Sequence, residues 1–202
     1  MSSQPLIRKR FLWAIFFINI IALPLILFMG HLKNSAKTAV LLPVYGKIEL
    51  GHRFTEKNGE EAPFNELRGK IWVADFIFTR CAGQCPLVTM KMSLLQKTLP
   101  ANVLLASFSV DPTNDTPEIL SAYAKTYGAL DKRWFFFTGD INETNRLMNE
   151  LHLGKIDDPS AHSLRLVLLD KNAVIRGYYD SSDEASVKKL VQDTQILLKE
   201  SA

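Results

Sequence analysis

Apolar residues follow three rhythms along this chain. From Phe11 to Met29 (FLWAIFFINIIALPLILFM) nineteen consecutive residues carry no charge, close to the ~20 that a helix rising 1.5 Å per residue needs to cross ~30 Å of hydrocarbon. This run predicts one N-terminal transmembrane helix, with Pro24 tolerated as a kink. Further on, short runs of β-branched and aromatic residues alternate with segments of helical period. Ile71–Thr79 (IWVADFIFT), interrupted only by Asp75, and Val103–Val110 read as strands buried on both faces. Trp134–Phe137 reads as a short aromatic strand, and Leu164–Leu169 and Val174–Tyr179 as two strands joined at Asp170-Lys171-Asn172.

Between these runs the helical period predicts four helices. One opens at Pro86 and continues to about Leu99, and one opens at Thr116-Pro117-Glu118 with a cap, a first-turn proline and a first-turn acid and ends near Gly128. A third covers Asn142–Leu153 and stops at Gly154, and Asp183–Lys199 is amphipathic. Gly51–Glu61, with Asn58-Gly59 at its centre, predicts a small hairpin. Strands alternating with helices, and a hairpin near the end, imply an α/β three-layer sandwich around a mixed sheet. The expected organisation is a cytoplasmic N-terminus over 1–10, an anchor over 11–29, a linker over 30–44 and one domain over 45–202.

Charge sharpens the topology. Arg8, Lys9 and Arg10 directly precede the apolar run and hold the N-terminus in the cytoplasm, so the rest is exported. The anchor region up to Lys37 has five basic residues and no acid, leaving 19 basic against 21 acidic residues in the remainder. The net charge of +3 is therefore a property of the anchor, and no basic stripe with interleaved aromatics points to nucleic acid. Asn34-Ser35-Ala36 offers a cleavage site, but the apolar run exceeds the 7–15 residues usual for a signal peptide. With ten residues before it, the span leaves no room for a mitochondrial transit peptide. The expected location is a bacterial inner membrane, single-pass, with a periplasmic domain.

The chain has two cysteines, Cys81 and Cys85, where the first long strand gives way to the Pro86 helix. Two thiols are too few for a disulfide-built scaffold. At a spacing of four, helical geometry would return both to one face about 6 Å apart, within reach of one metal ion or of a disulfide. As a plain structural staple a five-residue loop stabilises by only about 2 kcal/mol. A helix-opening turn, by contrast, favours thiolates and is expected to lower their pKa. Soft thiolates select Cu(I), zinc or iron–sulfur, and two sulfurs leave a metal site open to a third ligand. Of His31, His52, His152 and His162, the last stands in a loop at the mouth of a strand and is the leading candidate. Met90 and Met92 are read as core residues of an apolar helix. Asp111 and Asp115 are explained by turn and capping chemistry beside Pro112 and Pro117.

Taken together, F-T-E-K-N-G (54–59), G-K-I-W-V-A-D-F-I-F-T-x-C-x-x-x-C-P (69–86), S-V-D-P-T-N-D-T-P (109–117) and a later H-S before a strand resemble the Sco/SenC family of membrane-anchored copper chaperones with a thioredoxin-like fold. The resemblance implies copper binding by Cys81, Cys85 and His162, as Cu(I) and with Cu(II) left open. It further implies delivery of copper to the CuA centre on cytochrome c oxidase subunit II or to another cuproprotein, or reduction of the cysteines there. An upstream periplasmic copper donor would be a second partner. The chain departs from the family in Ala82, where proline is usual after the first cysteine, and in Ala161, where aspartate often precedes the histidine. Loss of that carboxylate removes support for the imidazole, a change that elsewhere shifts metal affinity ~10–100-fold.

Two other functions compete. A thiol-disulfide oxidoreductase on the same fold would use Cys81 and Cys85 catalytically, although such enzymes typically space their cysteines Cys-x-x-Cys. A tethered assembly factor would use the domain only as a docking surface.

Overall fold

The computed structural model describes residues 41–63, 66–81, 83, 85–154 and 164–200, together with Ala22, Pro24 and Leu25. The predicted span Phe11–Met29 otherwise lies outside these residues, as do Ala82, Ala161 and His162. Among the described residues no helix is long and apolar enough to cross a membrane. Leu41–Ala202 form one compact unit, separate from Met1–Val40.

Eight strands form one sheet: β1 (Gly46–Lys47), β2 (Arg53–Glu56), β3 (Glu61–Pro63), β4 (Ile71–Ile77), β5 (Val103–Ser109), β6 (Trp134–Thr138), β7 (Arg165–Leu169) and β8 (Val174–Asp180). Their order is β1-β8-β7-β4-β5-β6-β2-β3. β5 runs parallel to β4 and to β6, while β7 is antiparallel to β4, so the sheet is mixed as expected. The Asn58-Gly59 hairpin forms between β2 and β3, with Gly59 at φ 85°, a conformation open to glycine at little cost. β1 was not predicted, because two residues are too few to show a period.

Four helices cover the sheet: α1 (Cys85–Thr98), α2 (Pro117–Thr126), α3 (Ile141–Glu150) and α4 (Glu184–Glu200). Alternation along β4 explains the layering. Trp72, Ala74 and Phe76 point into one core with Leu147 and Met148 of α3, whereas Ile71, Val73 and Ile77 point into another with Val88, Met92 and Leu95 of α1. α2 and α4 join the second core through Leu120, Ala124, Leu190 and Leu197. Thr116 caps α2, its hydroxyl accepting from the Ile119 amide, and Asp140 caps α3 by accepting from Asn142 at 2.7 Å.

The apolar period of α1 was over-read in one place. Met92 is fully buried, but Met90 is 59% exposed and lies with Leu87 and Leu94 on a solvent-facing stripe. Val88, Met92 and Leu95 already supply the buried face, so the remaining apolar residues have nowhere inside to go.

β8 is locked to α4 by Tyr179, whose hydroxyl donates to the buried Asp193 at 2.7 Å. The Tyr179 ring lies across Gly177, so a Cβ there would overlap its oxygen. Gly177→Ala is expected to lower stability by about 2 kcal/mol through overpacking. Gly51→Ala, which adds a Cβ into open space, should stay within about 0.5 kcal/mol of the parent protein. Urea midpoints of the two variants check both.

Candidate metal centre

The thiols sit at the end of the sheet where β4 and β5 finish. Cys81 lies in the turn after β4, its amide donating to the Phe78 carbonyl at 3.2 Å, and Cys85 is the first residue of α1. The pair is therefore not on one helix, as the spacing suggested. Pro86 suits the first helical turn, and the helix begins at Cys85, so Cys81 lies outside it. Proximity comes about differently: the Cys85 amide donates to Cys81 Sγ at 3.5 Å, which brings the two residues together.

Their surroundings differ. Cys81 is partly exposed and Cys85 is wholly buried beneath the first turn of α1. Burial pushes the Cys85 thiol well above the ordinary cysteine value; the Phe78 amide works against this, while Cys81 and Asp75 add to it. The lowering expected from the helix end is thus overturned at Cys85, because desolvation of a thiolate there outweighs the dipole. A soft metal or a second sulfur would have to displace the Cys85 proton, so occupancy of the site releases protons.

Beneath the thiols lies a buried polar chain. Trp134 Nε1 donates to Ser107 Oγ at 2.9 Å, and Ser107 Oγ donates to Asp75 Oδ1 at 2.5 Å. Asp75 Oδ2 has no hydrogen-bond partner among the described residues. Burial raises the Asp75 carboxyl to about 7, against the opposing Ser107 bond.

Asp115 does more than the turn chemistry expected of it. Fully buried, it accepts from the Thr79 hydroxyl at 2.6 Å, the Thr79 amide at 3.2 Å and the Ser109 hydroxyl at 2.6 Å. It therefore ties the residue two before Cys81 to the end of β5. Asp111 behaves as predicted within its turn, accepting from Asn114 Nδ2 at 2.7 Å, and also pairs with Arg80 at 3.0 Å. The signal for Asp115 in the sequence was slight: an acid close to a buried strand end, where a carboxylate without partners would be costly.

The histidines divide. His52 is buried on the α3 side, its ring nitrogens each 3.2 Å from a carboxylate oxygen, of Glu143 and of Glu150. His152 follows α3 and its ring approaches Gly46. Neither is brought to the thiols, and His31 and His162 lie outside the described residues. Among the described residues no three His, Cys, Asp or Glu side chains gather as a metal site.

With this geometry in hand, residues 46–199 match the family model SCO1/SenC. The chain belongs to the SCO1/SenC family. Its sheet and helices are the thioredoxin-like α/β fold of that family. The SCO1 protein homolog of Bacillus subtilis (strain 168) is 43% identical over 89 residues, which is 43% of this chain and 46% of the relative, so the alignment spans less than half of that protein. Among solved structures, BsSco, a member of the Sco family of cytochrome c oxidase assembly proteins in which a disulfide switch was identified, superposes with a TM-score of 0.67 at 29% identity, over 77% of this chain and 95% of its own. Bradyrhizobium japonicum ScoI with copper bound shares the fold, with a TM-score of 0.59 at 19% identity over 77% of this chain and 99% of its own.

Asp115→Ala is expected to cost about 3 kcal/mol, since three donors lose a buried acceptor, and to speed amide exchange at Thr79 and Cys81, read by hydrogen exchange with mass spectrometry. Asp75 gives a pH signature. Its folded value of about 7 lies above the ordinary 3.8, so stability falls as pH rises from about 4 through about 7 and is level above, by on the order of 4 kcal/mol. Asp75→Asn should flatten that decline, which urea midpoints at pH 4.5 and pH 8 measure.

Proposed function

We propose that this protein is a membrane-anchored copper chaperone that carries Cu(I) on Cys81, Cys85 and His162 to the CuA site of cytochrome c oxidase or to another cuproprotein. The observation that carries this reading is the pair of thiols folded together through a 3.5 Å amide–sulfur contact at the end of the sheet, in a chain of the SCO1/SenC family. Two soft sulfurs suit Cu(I), and an imidazole would make the site three-coordinate while leaving room for an incoming ligand. Copper in the Bradyrhizobium ScoI structure supports the same cargo. The stripe of Leu87, Met90 and Leu94 on α1, respectively 42%, 59% and 52% exposed, supports partner docking beside the thiols.

The domain organisation belongs to the same reading: cytoplasmic residues 1–10, an anchor over 11–29, a linker over 30–44 and a periplasmic domain over 45–202. Export suits cysteines that must meet both copper and an oxidised partner.

The unequal exposure of the two thiols favours a second reading on the same residues, reduction of a partner's disulfide. Cys81 as thiolate attacks one partner sulfur, and the other partner sulfur leaves and takes a proton. Cys85, once deprotonated, then attacks Cys81 and releases the second partner sulfur. The partner gains two electrons and two protons, and a Cys81–Cys85 disulfide forms.

Titration of the reduced full chain with Cu(I) against a competing chelator is expected to give one ion per monomer. Cys81→Ala, Cys85→Ala and His162→Ala should each bind far more weakly, and full affinity in any one of them would remove that residue from the site. Reduction of a generic disulfide at an undiminished rate in His162→Ala, with no copper bound, would favour the second reading. Normal oxidase maturation with both cysteines substituted would make the domain a docking factor alone.

A further inference from the structure

The end of the sheet opposite the thiols has a chemistry of its own. β8 runs parallel to β4, because each is antiparallel to β7. The start of β8, the β7–β8 turn and the start of β4 therefore share one end, and Cys81 lies at the other. The chain enters the compact unit at this far end. Arg176 donates to the Leu42 carbonyl at 2.9 Å and to the Pro43 carbonyl at 3.1 Å, and pairs with Asp170 and Glu200, both at 3.0 Å. The segment arriving from the N-terminus is thus pinned to the domain.

Around that point stand two groups of outward-facing side chains, of which Tyr45 also packs its ring edge-on against Tyr178, with centroids 5.3 Å apart. Leu41, Val44 and Tyr45 are 72%, 70% and 51% exposed. Lys47, Arg68 and Lys171, all exposed, line a hollow of about 600 Å³ whose sole acidic side chain is Glu49. None of the three cations has a carboxylate within 4.0 Å among the described residues. Lys171 is held in place by its carbonyl, which accepts from the Gly69 amide at 3.2 Å. Upstream the bias continues: six basic residues and no acid precede Glu49.

We propose that this end is a lipid-facing surface, on which Leu41, Val44 and Tyr45 enter the bilayer interface while Lys47, Arg68 and Lys171 hold the phosphate of an anionic phospholipid headgroup. The inference rests on the anchor reading given above and adds an orientation to it. Apolar and tyrosine side chains flanked by cations without a carboxylate partner among the described residues are the composition that interfacial binding calls for. Anionic leaflets attract such cations within a Debye length of the surface. A solvated protein face would need no apolar trio beside the cations. The thiols would then point away from the membrane.

The test uses the full chain in lipid nanodiscs of phosphatidylcholine, with or without phosphatidylglycerol, and a water-soluble amine-acylating reagent whose attack on each lysine is read by mass spectrometry. In anionic discs Lys47 and Lys171 should react about fivefold more slowly than in neutral discs, with Lys188 of α4 unchanged. The protection should vanish in 0.5 M NaCl and fall in Arg68→Gln and in Tyr45→Ser. Equal rates in both discs, from a chain that stays with the lipid through an alkaline wash, would overturn the surface and leave the anchor standing. Loss of the chain to the wash would overturn the anchor reading itself. Equal protection by inorganic phosphate in detergent would make the hollow a site for soluble anions and remove the lipid from the proposal.

Discussion

A carboxylate shut away from water, that of Asp115, joins the turn after β4 to the end of β5, and the position of Cys81 depends on that junction. In a buried site it is tolerable because three donors converge on it. Two of them come from Thr79, in the turn after β4, and one from Ser109, at the end of β5. Because β4 and β5 are parallel neighbours in the middle of the sheet, their ends cannot drift apart, and the junction passes that constraint to Thr79, two residues before Cys81.

The two cores divide the labour. The α3 side packs Phe54, Phe108 and Phe137 in ring contact and also buries His52 against Glu143 and Glu150. The α1 side admits the Trp134–Ser107–Asp75 chain directly under the functional turn. A carboxyl with one oxygen unsatisfied among the described residues is a liability in a core, and here it lies close enough to Cys85 to raise that thiol further.

The architecture was legible because its signals are redundant. Continuous apolar runs bounded by Asp-Pro, Pro-Glu and Asn-Gly pairs left little choice for β4, β5, α2 and the hairpin, and the alternation of strand and helix then required a layered sheet. The thiol pair was legible in identity but not in setting. A spacing of four suits a helix, yet Pro86 starts the helix at Cys85 and leaves Cys81 in the turn. The expected acidity of the pair failed at Cys85 because sequence records the helix end and not the depth of burial. Met90 misled for a related reason: α1 carries more apolar side chains than its buried face can hold, and periodicity alone does not say which stripe faces inward. Asp115 was passed over because its partners, Thr79 and Ser109, are close to it only after β4 and β5 pair.

The depth of Cys85 carries a kinetic corollary. Were a metal held by that sulfur, the complete burial of Cys85 would keep water from it, and exchange would begin at the partly exposed Cys81 side. Release would then follow a bimolecular rate law, quickening with the concentration of the incoming thiol and nearly stalled in its absence. Such a carrier keeps its cargo by slowness of departure as much as by strength of grip.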